Sequence, residues 1–147
     1  MQPIHCTSDM DMADVYWGEP RSKGAFAWRS VLDSGAILCF GSDSPVERFD
    51  VLSGIHAAVT RRRPDGSPSV EGWHPEQRLT VGEAVHAYTT GAAYAAGDEK
   101  HRGSISSGKL ADLVTLSRDI LTCPHEEILQ TEIKMTVFDG RVVFDSL

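Results

Sequence analysis

The 147-residue chain is poor in cysteine: Cys6, Cys39 and Cys123 are odd in number, far apart and without CxxC spacing. That excludes a disulfide framework and a zinc ribbon, and it points to reduced thiols in a cytoplasmic protein. No apolar run approaches the ~20 residues that cross a bilayer. The first ten residues, MQPIHCTSDM, have no basic stretch leading into an apolar one, the pattern of a secretory signal. Positive charge is scarce as well, with 14 Lys and Arg against 21 Asp and Glu and a net charge of -7. This argues against the phosphate backbone of a nucleic acid as partner. The one basic cluster, Arg61, Arg62 and Arg63, is expected to end a helix, where cations suit the dipole. Internal repeats and low-complexity tracts are absent. The six histidines (His5, His56, His74, His86, His101, His125) include no HxH and no HExxH pair, so the chain carries neither of those metal motifs.

What is present is organised around Ala36 to Pro45, AILCFGSDSP. The unbroken apolar run Ala36 to Phe40 predicts a strand buried on both faces, as in a parallel sheet covered by helices. Asp43 then stands at the carboxyl end of that strand, where α/β folds place their chemistry. The local sequence leaves two roles open: Asp43 is either a catalytic carboxylate or the cap of a turn through Ser44 and Pro45. Gln2 to Cys6 reads as a strand end, and Asp9 to Pro20 as a long acidic loop carrying Tyr16 and Trp17, which either covers a site or is simply solvated. A helix is predicted over Ser22 to Ser34, with Phe26, Ala27, Trp28, Val31 and Leu32 on its apolar face and Gly35 as its left-handed cap. Strand, helix, strand in this order makes a right-handed βαβ unit.

A second helix is predicted over Asp50 to Arg62 with Asp50 as N-cap, carrying His56 as a packed or solvent-facing residue. Pro64 to Pro75 is irregular. Thr80 and Glu83 form a capping box that opens a third helix ending at Gly97, on which His86 and Tyr94 are structural. Beyond it, Ala111 to Leu116, Glu132 to Val137 and Arg141 to Phe144 read as strands. Ile133, Met135 and Val137 are expected to face inward, and Asp139-Gly140 to centre a tight hairpin. A chain of this size can bury roughly 70% of its unfolded surface, yet two parallel strands do not make a sheet. Their partners must come from a second copy or from earlier strands of a larger barrel.

QPIHCTSDM (2–10), GSDSPVE (41–47), RLTVGEAVHAYTTGAAYA (78–95) and GSISSGKLADLVTLSRDI (103–120) together resemble the carboxyl-terminal part of the family 3 amidohydrolases. The resemblance implies an α/β fold: residues 1–102 as the last two βα units of a TIM-type (β/α)8 barrel, and 103–147 as strands of an appended β-sandwich. It implies a metal-dependent hydrolase of carbon–nitrogen, non-peptide amide-type bonds acting on a small molecule, with a divalent metal, zinc, as cofactor. Asp43 corresponds to the aspartate that is both metal ligand and general base, and His5 and Asp9 fall on the substrate side; no chemistry is assigned to Lys109 or Asp112. Met1 falls inside the region of the seventh barrel strand. The family's HxH and middle-strand ligands have no counterpart, so a metal site on this chain alone is not expected. The alternative is a catalytically inactive fragment that self-associates or serves as an interaction partner. The expected partners are the substrate and either further copies of the chain or the missing barrel strands, with no nucleic acid and no membrane.

Overall fold

In a computed structural model that describes residues 1–18 and 20–146, Pro3–Trp17 is a 15-residue helix, α1, where the sequence predicts a strand end and an acidic loop. Its buried residues, Pro3, Cys6, Thr7, Met10 and Ala13, recur at helical spacing. Proline at the first turn loses no hydrogen bond there, and Gly18 closes the helix by donating its N–H to the Asp14 carbonyl at 3.1 Å. Asp9, Asp11 and Asp14 lie on this helix, Glu19 of the predicted loop lies outside the described residues, and Tyr16 and Trp17 are exposed at the helix end.

The predicted helix over Ser22 to Ser34 is also corrected. Phe26 adopts a left-handed φ of 51°, which divides it into a 3-10 turn, Arg21–Gly24, and a short helix α2, Trp28–Asp33. Gly35 caps α2 as the sequence predicts, with φ 86° and its N–H on the Leu32 carbonyl.

Ala36 to Phe40 is not a strand among the described residues. Leu38 and Phe40 are buried while Ile37 is exposed, so the run has one inner face, not two. It retains one trace of parallel pairing: the Met1 amino group donates to the Cys39 carbonyl at 2.5 Å, and the Gly41 N–H donates to the Met1 carbonyl at 3.1 Å. Without further neighbours the ladder stops there.

Helix α3, Val51–Thr60, begins where Asp50 accepts from the N–H groups of Leu52 and Ser53, as predicted. It ends at Arg61, which is not a solvated cation at a helix end. Arg61 is completely buried, its guanidinium 4.7 Å from the Trp28 ring and 5.1 Å from the Trp73 ring. It donates to the carbonyls of Ala25, Phe26 and Trp73, which fixes three segments at one point. Arg62 pairs with Glu126 and Arg63 with Asp11, so the basic cluster faces partners within the chain.

Helix α4, Val81–His86, opens with the predicted capping box of Thr80 and Glu83. A π turn, Ala87–Gly91, joins it to α5, Ala92–Ala95. The Ala87 carbonyl accepts the Phe40 N–H at 3.0 Å, so the helix holds the extended run in place. Gly97, with φ 69°, ends the element.

Strands β1 (Leu113–Leu116), β2 (Ile133–Phe138) and β3 (Arg141–Asp145) form an antiparallel sheet in that order. Asp139 and Gly140 both have positive φ, as a tight hairpin of this kind requires. The expected buried face of β2 is not found: its inner residues are at most half-buried, and Ile133 is exposed. The hydrophobic core lies among α1 to α4, with Ile120 and the fully buried Ile128 inserted from the segment between β1 and β2. Among the described residues, no helix is long and apolar enough to cross a membrane.

Candidate active site

The first turns of α1 place His5 and Asp9 four residues apart on one helical face. The extended run brings Asp43 opposite them. His5 Nε2 lies 3.5 Å from Asp43 Oδ2, and His5 Nδ1 lies 3.9 Å from Asp9 Oδ2. The three side chains named from the sequence therefore meet in one row, with the imidazole between two carboxylates. Asp43 is half-exposed and reachable from solvent, whereas His5 Nε2 is buried without a hydrogen-bond partner.

The turn after the run is closed by other groups. The Ser42 hydroxyl accepts the Ser44 N–H at 3.3 Å, and the Asp43 carbonyl accepts the Val46 N–H at 2.9 Å. The Asp43 carboxylate is thus left to face His5. Asp43 has a φ of 59°, a left-handed conformation that aspartate tolerates better than most residues.

Two residues not singled out from the sequence complete the arrangement. Ser8 donates from its hydroxyl to Glu47 Oε1 at 2.5 Å, tying α1 to the loop that follows Asp43. Ser8 lies beside Asp9 and Glu47 lies in GSDSPVE, but no spacing rule joins positions 39 residues apart. Cys6, next to His5, turns into the core instead. Burial pushes its thiol up to about 11, opposed in part by Arg61, so it is no nucleophile at neutral pH. A cleft of about 480 Å3, lined by Val59, Arg78, Leu79, Thr80, Leu121 and His125, contains none of these residues.

Among the described residues, no three His, Cys, Asp or Glu side chains converge as a metal cluster. The reason is geometric: Asp9 and Asp43 approach opposite nitrogens of one ring, so they do not share a focus. Asp43 and the unbonded His5 Nε2 suit a divalent ion as two donors of a set, but a stable site takes three or four.

A profile of the amidohydrolase family matches residues 1–144. The Bacillus subtilis protein YtcJ, named as an amidohydrolase, is 35% identical over 147 residues, which cover 99% of this chain and 27% of YtcJ. The N-substituted formamide deformylase of Arthrobacter pascens is 33% identical over 115 residues, 78% of this chain and 20% of that protein. An uncharacterized metal-dependent hydrolase of Pyrococcus horikoshii OT3 has a solved structure similar at TM-score 0.73 and 29% identity, covering 85% of this chain and 25% of that one. The chain thus spans about a quarter of the length of YtcJ and of the solved hydrolase. With a match running from the first residue to residue 144, the chain belongs to the amidohydrolase family.

Proposed function

We propose that this chain is the carboxyl-terminal part of a cytoplasmic, metal-dependent hydrolase of amide-type carbon–nitrogen bonds, with residues 1–102 from the end of a (β/α)8 barrel and 103–147 from its β-sandwich. The observation that carries the reading is the Asp43 carboxylate, half-exposed and facing the unbonded Nε2 of His5. Asp43 would hold the ion, which we take to be zinc, with His5 beside it on the substrate side, and the remaining ligands belong to the earlier barrel strands. A bound divalent ion lowers the pKa of water toward neutrality. Asp43 takes the proton from the attacking water, His5 lies between the two carboxylates, and Asp9 lies on the substrate side. The Ser8–Glu47 hydrogen bond keeps α1 against the Asp43 loop during turnover. The substrate is a small molecule, of which an N-substituted formamide is the first candidate, given the name of the Arthrobacter relative.

The test is a chimera in which the matching segment of the Arthrobacter deformylase is replaced by its counterpart from this chain. The zinc-loaded chimera is expected to release formate from an N-substituted formamide. Asp43→Asn should lower kcat by roughly 100-fold or more, the contribution of a positioned general base. A folded, zinc-loaded chimera without turnover, or one indifferent to Asp43→Asn, refutes the proposal. A second reading, an inactive fragment that self-associates, is favoured by the apolar residues the sheet exposes; under it, Asp43→Asn changes nothing.

A further inference from the structure

All five residues of β3, Arg141-Val142-Val143-Phe144-Asp145, are exposed, with Val142, Val143 and Phe144 between 49% and 61% accessible. The strand order places β3 at one edge of the sheet, and among the described residues its outer side pairs with no backbone. Natural edge strands are blunted by shortness, by lysine, proline or repelling charges, or by bulges that twist the edge away. β3 has neither lysine nor proline, and its charges are one of each sign, at its two ends. The bulge that leaves Val143 without a β2 partner adds twist but no charge.

The order of those five residues is self-complementary. Antiparallel pairing with a second β3 about a twofold axis through Val143 sets Arg141 opposite Asp145 twice, Val142 opposite Phe144 twice, and Val143 opposite itself. Each pair is either an attraction between opposite charges or an apolar contact, the combinations that stabilise cross-strand neighbours. We propose that the outer edge of β3 is the dimer interface of this chain, two copies joining their sheets into one of six strands. An isologous contact of this kind is closed, so it gives a dimer and not a filament. Asp145 also interacts within its own chain, and a carboxylate has acceptor capacity for both partners. The opposite edge, β1, is four residues, Leu-Val-Thr-Leu, and offers no charge pairing. The proposal deepens the self-association reading and is independent of Asp43, so the chimera and the experiment below fail separately.

Five residues a side is a small contact, which places the association in the weak, concentration-dependent class. Sedimentation equilibrium of the whole chain over a concentration series is expected to give a monomer–dimer equilibrium. Arg141→Asp and Asp145→Arg should each weaken it at least tenfold, because two symmetry-related pairs turn from attraction to repulsion. The double variant R141D/D145R should recover the wild-type constant within a few-fold. Val143→Lys, which sets two like charges on the axis, should leave a monomer with an unchanged circular dichroism spectrum, and it serves if either charge variant fails to fold. A chain that stays monomeric to millimolar concentration overturns the proposal. So does a dimer indifferent to Val143→Lys and to the single charge reversals, since the copies would then meet elsewhere. A double variant as weak as its parents overturns it too.

Discussion

His56 lies on α3 with 4% of its surface exposed. Burial, with a smaller push from nearby Arg62 and from His125 and against the pull of Glu126, lowers its pKa from the ordinary 6.5 to about 4. The folded protein therefore holds His56 neutral, while the unfolded chain binds a proton as pH falls below 6.5. Stability is lost progressively from pH 6.5 downward and the loss levels off below about 4, where it reaches about 3 kcal/mol. Urea titrations of wild type and His56→Gln should differ in pH dependence by that amount, with the variant flatter. Parallel curves would show that His56 ionises in the fold. At this scale a residue was legible as a candidate where it carries its own context: Asp43 is marked by the apolar run that ends three positions before it. Ser8 and Glu47 were not legible, because neither has a local signal and only the packing of α1 against the Asp43 loop brings them together.

Elements with strong end signals matched their sequence prediction: Asp50 before α3, the Thr80–Glu83 box before α4, and Asp139-Gly140 between β2 and β3. In each, a few adjacent residues satisfy backbone groups by themselves. Helix α1 was missed because its inward positions are Pro3, Cys6, Thr7, Met10 and Ala13, correctly spaced but weakly apolar. Ala36 to Phe40 was misjudged for the opposite reason. Its composition suits a strand, but strand pairing needs neighbours, and here the π turn of Ala87–Gly91 substitutes for one. That contact requires Gly91, since a Cβ there would lie 2.0 Å from the Leu38 carbonyl oxygen. Gly91→Ala should cost about 1–3 kcal/mol as the backbones separate. Amide exchange at Phe40 should rise more than the global loss explains, because its acceptor is the Ala87 carbonyl in the same turn. Gly82→Ala, with open space around its Cβ inside α4, should be neutral or gain up to about 1 kcal/mol. If the two variants behave alike, the close approach at Gly91 is not what holds the run.

At the scale of the whole molecule the chain divides by how it is held. The buried core reaches along the sequence as far as Ile128, and no residue of β2 or β3 belongs to it. Leu116 packs against that core from β1, and the 3-10 segment His125–Gln130 lies against α3, held by Ile128 and by the Arg62–Glu126 pair. The hairpin of β2 and β3 is attached mainly through its ladder with β1. Segments with few buried apolar contacts open at lower free energy than the core. A chain ending at Thr131 should therefore keep the helical circular dichroism and the cooperative melt of the full protein. In the full protein, the amides of Ile133–Asp145 should exchange well before those of α3. The same truncation removes β3 and should abolish the dimer without touching His5, Asp9 or Asp43. If it instead unfolds α3 and α4, the sheet is part of the core's stability, and its exposed apolar rows contribute to the fold through β1 rather than waiting for a second copy.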